Sequence, residues 1–296
     1  MSEMGTDGAS RNERSVRSRL RLSVRRLMVM LLSGILAIRL FGFIESFVFY
    51  FPSREEFANE PGVIDVTFSG PDGRKLHGWL LVPANAGAGS PAVLHVHGNA
   101  GNVSSHLAYS RFLADHGFVV FIFDYRGYGR SEVGRSRPRR DRMMEDTRAA
   151  LETLITRPEV DRSRIGVYGV SIGSVFATAL AAERPDVRAV VAVAPFSGWA
   201  NIAHTHFPIV GPMLVRGGLD PIDSCAALGD RPLMLVHGSL DDIIPPEHSA
   251  RIERAARAKG VKVTRLVVPE AGHNDIVFQS EATKQAVAAF FKESLR

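Results

Sequence analysis

"RIGVYGVSIGSVFATALAA", residues 164–182, places Ser171 between Gly169 and Gly173 at the end of an apolar run. The residues before the serine, Ile165 to Tyr168, have the pattern of a short buried strand. The small apolar residues from Ser174 onward indicate a helix that packs closely. A serine on such a sharp strand-to-helix turn projects its hydroxyl above the sheet, as a nucleophile requires. An ordinary glycine-rich turn stays open until partners for Ser171 are identified.

Apolar strands alternate with helices over the rest of the chain. Segments 63–68 and 76–82 flank the turn "GPDG" and predict an antiparallel hairpin. Six further strands are predicted at 92–98, 118–127, 165–168, 187–195, 232–238 and 261–269, with helices near 103–115, 143–157, 174–182, 246–258 and 281–294. This order predicts an α/β fold with a mostly parallel eight-stranded sheet and helices on both faces.

Polar loops follow several of these strands at their carboxyl ends, where open sheets of this kind bind ligands. They include "HGNAGN" (97–102), "HGSLDD" (237–242) and "EAGHND" (270–275). Ser171, Asp241 and His273 each follow a strand and occur in the chain order of a hydrolase triad. We therefore predict Ser171 as the nucleophile, His273 as its base and Asp241 as the carboxylate that orients His273. Asp242, the next residue, is the alternative to Asp241.

These motifs, with "FYFPSRE" (49–55), "DYRGYGRSE" (124–132) and "GVSIGS" (169–174), resemble the α/β-hydrolase superfamily over roughly residues 45 to 295. The resemblance is closest to its serine-aminopeptidase-like branch of membrane-anchored "α/β hydrolase domain-containing" proteins. It implies an α/β-hydrolase fold that needs no cofactor, and its "HGxxD" spacing selects Asp241. The Arg-rich segment "VGRSRPRRDR" (133–142) departs from the family pattern, which leaves the preferred charge of the substrate open.

Two donors are predicted for the oxyanion of a tetrahedral intermediate. One is the backbone N–H of Ile172, the residue after the nucleophile. For the other, the resemblance points to Asn99 in the loop after the third strand.

The resemblance also implies a short lid at about residues 196–230. Trp199, Phe207 and Met213 in this segment are predicted to line a substrate pocket, and simple packing of the lid onto the core is the alternative. No carboxylate or cysteine cluster accompanies His204 and His206, so we interpret them as polar lid residues and predict no metal site.

The amino-terminal region differs in composition from the rest of the chain. Residues 1–26 contain seven arginines and three acidic residues, so most of the net charge of +5 lies there and does not indicate a nucleic-acid-binding domain. The apolar stretch that follows predicts a single-pass transmembrane or membrane-anchoring helix over 27–50, with a cytoplasmic amino terminus and a hydrolase domain over 51–296. Because Arg39 and Glu45 interrupt the stretch, a helix in the membrane plane and a helix docked on the domain stay open.

The sequence thus predicts a membrane-anchored serine hydrolase that cleaves ester or thioester bonds of a small-molecule or lipid-like acyl substrate. A serine peptidase or aminopeptidase with the same triad is the first alternative. A non-catalytic, membrane-tethered interaction module is the second.

Overall fold

The chain folds around one large β-sheet that carries the predicted polar loops. A computed structural model describes residues 6–41, 43–84, 86–134 and 138–296. The strands are β1 (Phe51–Pro52), β2 (Val63–Ser69), β3 (Lys75–Leu81), β4 (Ser90–Val96), β5 (Ala100–Gly101), β6 (Val119–Asp124), β7 (Val160–Val170), β8 (Val187–Val193), β9 (Leu233–Gly238) and β10 (Val263–Val268). The helices are α1 (Thr6–Phe41), α2 (Phe43–Val48), α3 (Val103–His106), α4 (Arg111–Asp115), α5 (Arg140–Ile155), α6 (Gly173–Glu183), α7 (Trp199–His206), α8 (Gly211–Leu214), α9 (Pro221–Ala226), α10 (Glu247–Ala258) and α11 (Glu281–Ser294).

The main sheet has eight strands in the order β10-β9-β8-β7-β4-β6-β3-β2. Strand β3 pairs antiparallel with β2 and β6, and the other pairs are parallel. The predicted hairpin and the mostly parallel sheet are therefore confirmed. Because carboxyl ends of parallel strands share one edge, the loops after β4, β7, β9 and β10 lie on the same side of the molecule.

Helices cover both faces of this sheet. Ala92 and Leu94 of β4 belong to an apolar cluster that includes α5, α6 and α10. The intervening Val93 belongs to a second cluster, which includes α4 and α11. Successive residues of a strand point to opposite faces, so a strand covered on both sides is apolar along its whole length.

The helix predicted near 103–115 is divided into α3, a 3₁₀ turn at Leu107–Tyr109 and α4. Ser110 separates the last two elements with a non-helical φ of −133°. Its hydroxyl is buried and contacts Nδ1 of His95 at 2.7 Å. A serine hydroxyl that bonds outside its own helix favours such an interruption.

The segment predicted to anchor the chain in a membrane, 27–50, contains part of α1 and all of α2. Helix α1 ends at Phe41, and α2 packs on the domain with Glu45 and Ser46 buried. Among the described helices, none is both long enough and apolar enough to cross a bilayer. The side chain of Arg39 lies outside the described residues. Glu45 forms an ion pair with Arg140 inside the protein. The side chain of Glu45 is thus packed against the domain that carries Arg140.

Helix α1 extends from the domain with most of its described side chains in solvent. Its apolar residues Leu27 to Leu32 are each more than half exposed. The helix also contacts α8. Helices α7, α8 and α9 occupy the segment predicted as the lid, so α1 meets the lid directly.

Candidate active site

Ser171 lies at the turn between β7 and α6 in a strained backbone conformation. Its φ is +53°, in the left-handed region that non-glycine residues rarely adopt. A Cβ on Gly173 would lie 2.0 Å from the carbonyl oxygen of Val96, and one on Gly169 would lie 2.7 Å from Ala177. Only glycine therefore permits this close approach of strand and helix. The turn presents the serine hydroxyl at the carboxyl edge of the sheet.

His273 connects Ser171 to Asp241. Its Nε2 is 3.1 Å from the Ser171 hydroxyl, and its Nδ1 is 2.8 Å from Oδ2 of Asp241. A carboxylate only accepts hydrogen bonds, so Nδ1 carries the proton and Nε2 accepts one from the serine. The three predicted residues come together in the arrangement that activates a serine hydroxyl.

The loop after β9 holds Asp241 in a fixed orientation. Its Oδ1 accepts hydrogen bonds from the N–H groups of Ile243 at 3.1 Å and Ile244 at 2.8 Å. Asp241 is buried, whereas Asp242 is exposed. Of the two adjacent aspartates, the structure brings only Asp241 to His273.

A second histidine also contacts this carboxylate. The fully buried His237 donates from Nε2 to the carbonyl of Ile244 at 2.7 Å, and the same nitrogen lies 3.3 Å from Oδ2 of Asp241. Burial alone raises the pKa of Asp241, but the contacts with His237 and His273 outweigh it and hold that pKa below its usual value. Asp241 is therefore ionised at neutral pH. The sequence motif contained His237, but its spacing gave no indication of this contact.

The two predicted oxyanion residues lie beside Ser171. Ile172 directly precedes α6. Asn99 lies in the loop after β4, the strand next to β7 in the sheet. The side-chain oxygen of Asn99 accepts a hydrogen bond from the N–H of Phe51 at 3.0 Å. The small parallel pair β1–β5 lies at the same place, so the chain before the main sheet supports this loop.

An apolar cavity of about 410 Å³ opens at Ser171. Its walls come from the segment around α2, the loops after β4 and β7, the lid and the loop after β9. The lining residues are Val48, Phe49, Asn99, Ser171, Ile172, Phe196, Ile202, Ala203, His206, Phe207, Val210, Gly211, Leu214, Val215, Ile243 and Ile244. These described residues include no aspartate, glutamate, lysine or arginine. A nonpolar group of a substrate fits such a lining.

Of the three residues predicted to line the pocket, Phe207 is in the wall and is largely exposed. Trp199 and Met213 are not among the lining residues. Trp199 is fully buried because its ring packs edge-on against Phe49 and Phe196. Trp199 therefore supports the residues that line the cavity without lining it itself.

Sequence reasoning missed Val48 and Phe49, which line the cavity from the amino-terminal side. Their aromatic and apolar character fits a membrane interface equally well, and no local motif separates the two interpretations. His206, interpreted as a polar lid residue, also reaches the cavity, and its Nε2 donates to the carbonyl of Ile243 at 3.0 Å.

The described residues of the Arg-rich segment, 133–134 and 138–142, are not among those that line the cavity. Arg140 is buried against Glu45, and Arg139 and Arg142 form ion pairs with nearby carboxylates at the surface. Arg135 and Arg137 lie outside the described residues. The described arginines are thus engaged with carboxylates of the chain itself.

Comparison with known proteins gives two matching hydrolase family models and several related chains. The family model "Prolyl oligopeptidase family" matches residues 104–296, and that of acetyl xylan esterase (AXE1) matches residues 51–141. The uncharacterized protein YfhR of Escherichia coli O157:H7 is 32% identical over 234 residues, which cover 77% of this chain and 79% of YfhR. The "alpha/beta hydrolase domain-containing protein WAV2" of Arabidopsis thaliana is 28% identical and covers 71% of this chain and 72% of its own.

Solved structures share the fold. A Pyrococcus furiosus esterase superposes with a TM-score of 0.70 at 21% identity, covering 84% of this chain and 98% of the esterase. At this level of identity the likeness concerns the fold alone.

Proposed function

The chain belongs to the prolyl oligopeptidase family and is a serine hydrolase of the α/β-hydrolase fold, and we propose that it cleaves carboxylic ester or thioester bonds through an acyl-enzyme. The observation that carries the proposal is the hydrogen-bonded series Ser171–His273–Asp241 at the base of an apolar cavity. It supplies a nucleophile, a base and a group that orients the base.

The proposed reaction has two halves. Ser171 Oγ attacks the acyl carbon while Nε2 of His273 takes the hydroxyl proton. His273 then donates that proton to the departing alcohol or thiol, and the acyl group remains on Ser171. Water, deprotonated by the same nitrogen, attacks the acyl carbon, and His273 returns the proton to Ser171 Oγ as the bond to the acyl group breaks and the acid leaves. The ionised Asp241 stabilises His273 whenever the imidazole carries a positive charge.

The oxyanion formed in both halves requires donors that are already in position. We assign this role to the backbone N–H of Ile172 and to the loop at Asn99. The close packing at Gly173 supports the assignment, because it fixes the start of α6 against the end of β4. Fixed donors need no reorganisation as the negative charge develops.

The lining of the cavity favours an ester with an apolar acyl group over a peptide with a free amino terminus. Recognition of an ammonium group in a buried site requires a carboxylate or an aromatic cage close to the scissile bond. The described lining residues include no aspartate or glutamate. Burial of an acyl chain contributes about 0.8 kcal/mol for each methylene. Peptidase activity with the same three residues stays the alternative, consistent with the name of the matching family.

We also propose that α1 attaches the enzyme to a membrane, with its basic amino-terminal side in the cytoplasm. The exposed apolar residues Leu27 to Leu32 follow Arg25 and Arg26 directly. Apolar side chains that would insert into lipid, next to arginines that attract anionic headgroups, are typical of a membrane-attaching helix.

The test is a comparison of purified full-length wild type and Ser171→Ala in detergent. Wild type should react with a fluorophosphonate and hydrolyse p-nitrophenyl esters, with kcat/KM rising from acetyl to octanoyl, and should be far slower on aminoacyl amides. Ser171→Ala should lose both labelling and hydrolysis while keeping its melting temperature. Undiminished labelling of Ser171→Ala would contradict the nucleophile. Faster cleavage of an aminoacyl amide than of any ester would favour the peptidase.

A further inference from the structure

One wall of the catalytic cavity comes from residues that precede the main sheet. Val48 and Phe49 line the same cavity as Ser171. The ring of Phe49 packs edge-on against Trp199 of the lid, with 5.3 Å between the ring centroids. A side chain in this position faces the space that an acyl group on Ser171 would occupy. The wall therefore bears on which acyl groups fit.

A buried ion pair holds this wall in place. Glu45 accepts hydrogen bonds from Nε of Arg140 at 3.0 Å and from Nη2 of the same residue at 2.6 Å. The hydroxyl of Tyr50 donates to Glu45 at 2.9 Å. The three side chains are almost fully buried. A two-point contact between guanidinium and carboxylate fixes orientation as well as distance.

The same arginine also holds the lid. Its guanidinium carbon lies 3.8 Å from the centroid of a Trp199 ring. Its Nη1 donates to the carbonyl oxygens of Arg216 and Gly218, which follow α8. Wall and lid are thus fixed to one another through Arg140. Because this contact fixes the spacing of wall and lid, the side chains that line the cavity set the space left for an acyl group.

We propose that Val48 and Phe49 determine the acyl chain length that the enzyme accepts. This inference rests on the proposed ester hydrolysis at Ser171. Replacing the Phe49 ring by a methyl group lengthens the cavity, and replacing Val48 by tryptophan shortens it. The two changes should therefore move the preferred chain length in opposite directions.

Phe47 provides a matched control, because it is an aromatic residue two positions before Phe49 and is not among the described lining residues. Full-length wild type, Phe49→Ala, Val48→Trp and Phe47→Ala are assayed on p-nitrophenyl esters from acetyl to dodecanoyl. The kcat/KM ratio of dodecanoyl to octanoyl should rise about fifteen-fold in Phe49→Ala, the value expected for two additional buried methylenes. The ratio of octanoyl to acetyl should fall by about the same factor in Val48→Trp. Phe47→Ala should keep the wild-type profile.

Acetyl ester hydrolysis reports on the catalytic residues separately, since an acetyl group does not reach the wall. If Phe49→Ala loses acetyl activity or does not fold, the smaller change Phe49→Leu tests the inference in its place. It should move the preferred chain length in the same direction. An unchanged chain-length profile in these variants, with full acetyl activity, overturns the inference and leaves the proposed function intact. Absence of Ser171-dependent esterase activity in wild type overturns both.

Discussion

The catalytic edge of the sheet and the amino-terminal region with the lid are built by different means. At the catalytic edge, backbone segments approach so closely that only glycine fits. A Cβ on Gly173 would lie 2.0 Å from the oxygen of Val96, and one on Gly238 would lie 2.3 Å from the oxygen of Ala271. In the other region, the principal connection is the side-chain pair of Glu45 and Arg140, which are 95 residues apart.

This difference determines how each region tolerates change. Several strands and turns together define the backbone geometry at the catalytic edge, so it does not depend on any one side chain. A single side-chain substitution there should remove chemistry and leave the fold intact. The amino-terminal region depends on few, long-range contacts, so a single substitution there should lower stability and alter the shape of the cavity.

The largest expected effect is on catalysis and concerns the two adjacent aspartates. Asp241→Asn should lower kcat by about 10⁴, because the amide favours the wrong tautomer of His273. Asp242→Asn should keep most of the activity, because this exposed side chain lies outside the hydrogen bonds to His273. Both variants should melt close to wild type. Steady-state kinetics on an octanoyl ester measure the first effect, and the reverse ranking of the two variants would contradict the assignment of Asp241.

A pair of truncations separates the exposed helix from the wall. A chain of residues 43–296 should hydrolyse a soluble ester like wild type but no longer float with vesicles of phosphatidylcholine and phosphatidylglycerol. A chain of residues 51–296 should in addition unfold more easily, by about 5 kcal/mol, because it leaves Arg140 buried without its carboxylate. Urea unfolding and vesicle flotation measure the two properties. Equal stability of the two chains would show that residues 43–50 are not part of the folded domain.

The ion pair can be tested by itself. Glu45→Gln should lower the free energy of unfolding by about 3 kcal/mol, because a buried guanidinium keeps its charge and loses its counter-charge. The control is Asp141→Asn, which breaks the exposed pair with Arg139 and should cost less than about 1 kcal/mol. Urea unfolding of the full-length variants in detergent provides the comparison. Similar losses of unfolding free energy in both variants would mean that burial does not increase the contribution of the Glu45–Arg140 pair to stability.

The smallest effect concerns pH and the attachment of the lid to α10. Burial, with a smaller contribution from Arg251, lowers the pKa of His248 to about 4. Its Nδ1 accepts a hydrogen bond from the N–H of Ser197 just before α7, and its Nε2 lies 3.2 Å from the hydroxyl of Thr205. Above about pH 6.5 the histidine is neutral in folded and unfolded chains alike and adds no pH dependence.

Between pH 6.5 and 4 the unfolded chain binds a proton at this position that the folded chain does not, so stability falls as the pH falls. Wild type should therefore lose about 1 kcal/mol more than His248→Gln between pH 7 and pH 5, since solvent screens part of the shift. Urea midpoints at the two pH values give the measurement. Parallel losses in both proteins would exclude His248 as the source.

Much of the catalytic edge was predictable from sequence, because local patterns specify it. Ser171, Asp241 and His273 each lie within about five residues of the end of an apolar strand, and parallel pairing brings those strand ends together. Asp241 was distinguishable from Asp242 only through the spacing of a known family. The contact between His237 and Asp241 depends on the path of the loop after β9, which the sequence pattern did not indicate.

The amino-terminal region was predicted less well, for a physical reason. An apolar residue is equally suited to a lipid interface and to a protein cavity, so the pattern around Phe49 fitted both. What decides between them is the burial of Glu45 by a partner on α5, and no local periodicity reports a contact across so much of the chain. The position of Trp199 was equally hard to predict. Its size suggested a pocket wall, but its ring is buried behind Phe49.

The apolar cavity lining has a consequence for the end of the catalytic cycle. In the proposed reaction the carboxyl group of the released acid forms at Ser171, between the proposed oxyanion donors and Nε2 of His273, while its alkyl chain lies among apolar residues such as Phe49, Ile202 and Leu214. The described lining residues include no lysine or arginine that could hold the ionised carboxyl group. The lining therefore retains the product mainly through its alkyl chain, at about 0.8 kcal/mol for each buried methylene. Inhibition by the free acid at pH 7 should become stronger as the acid lengthens from acetate to octanoate.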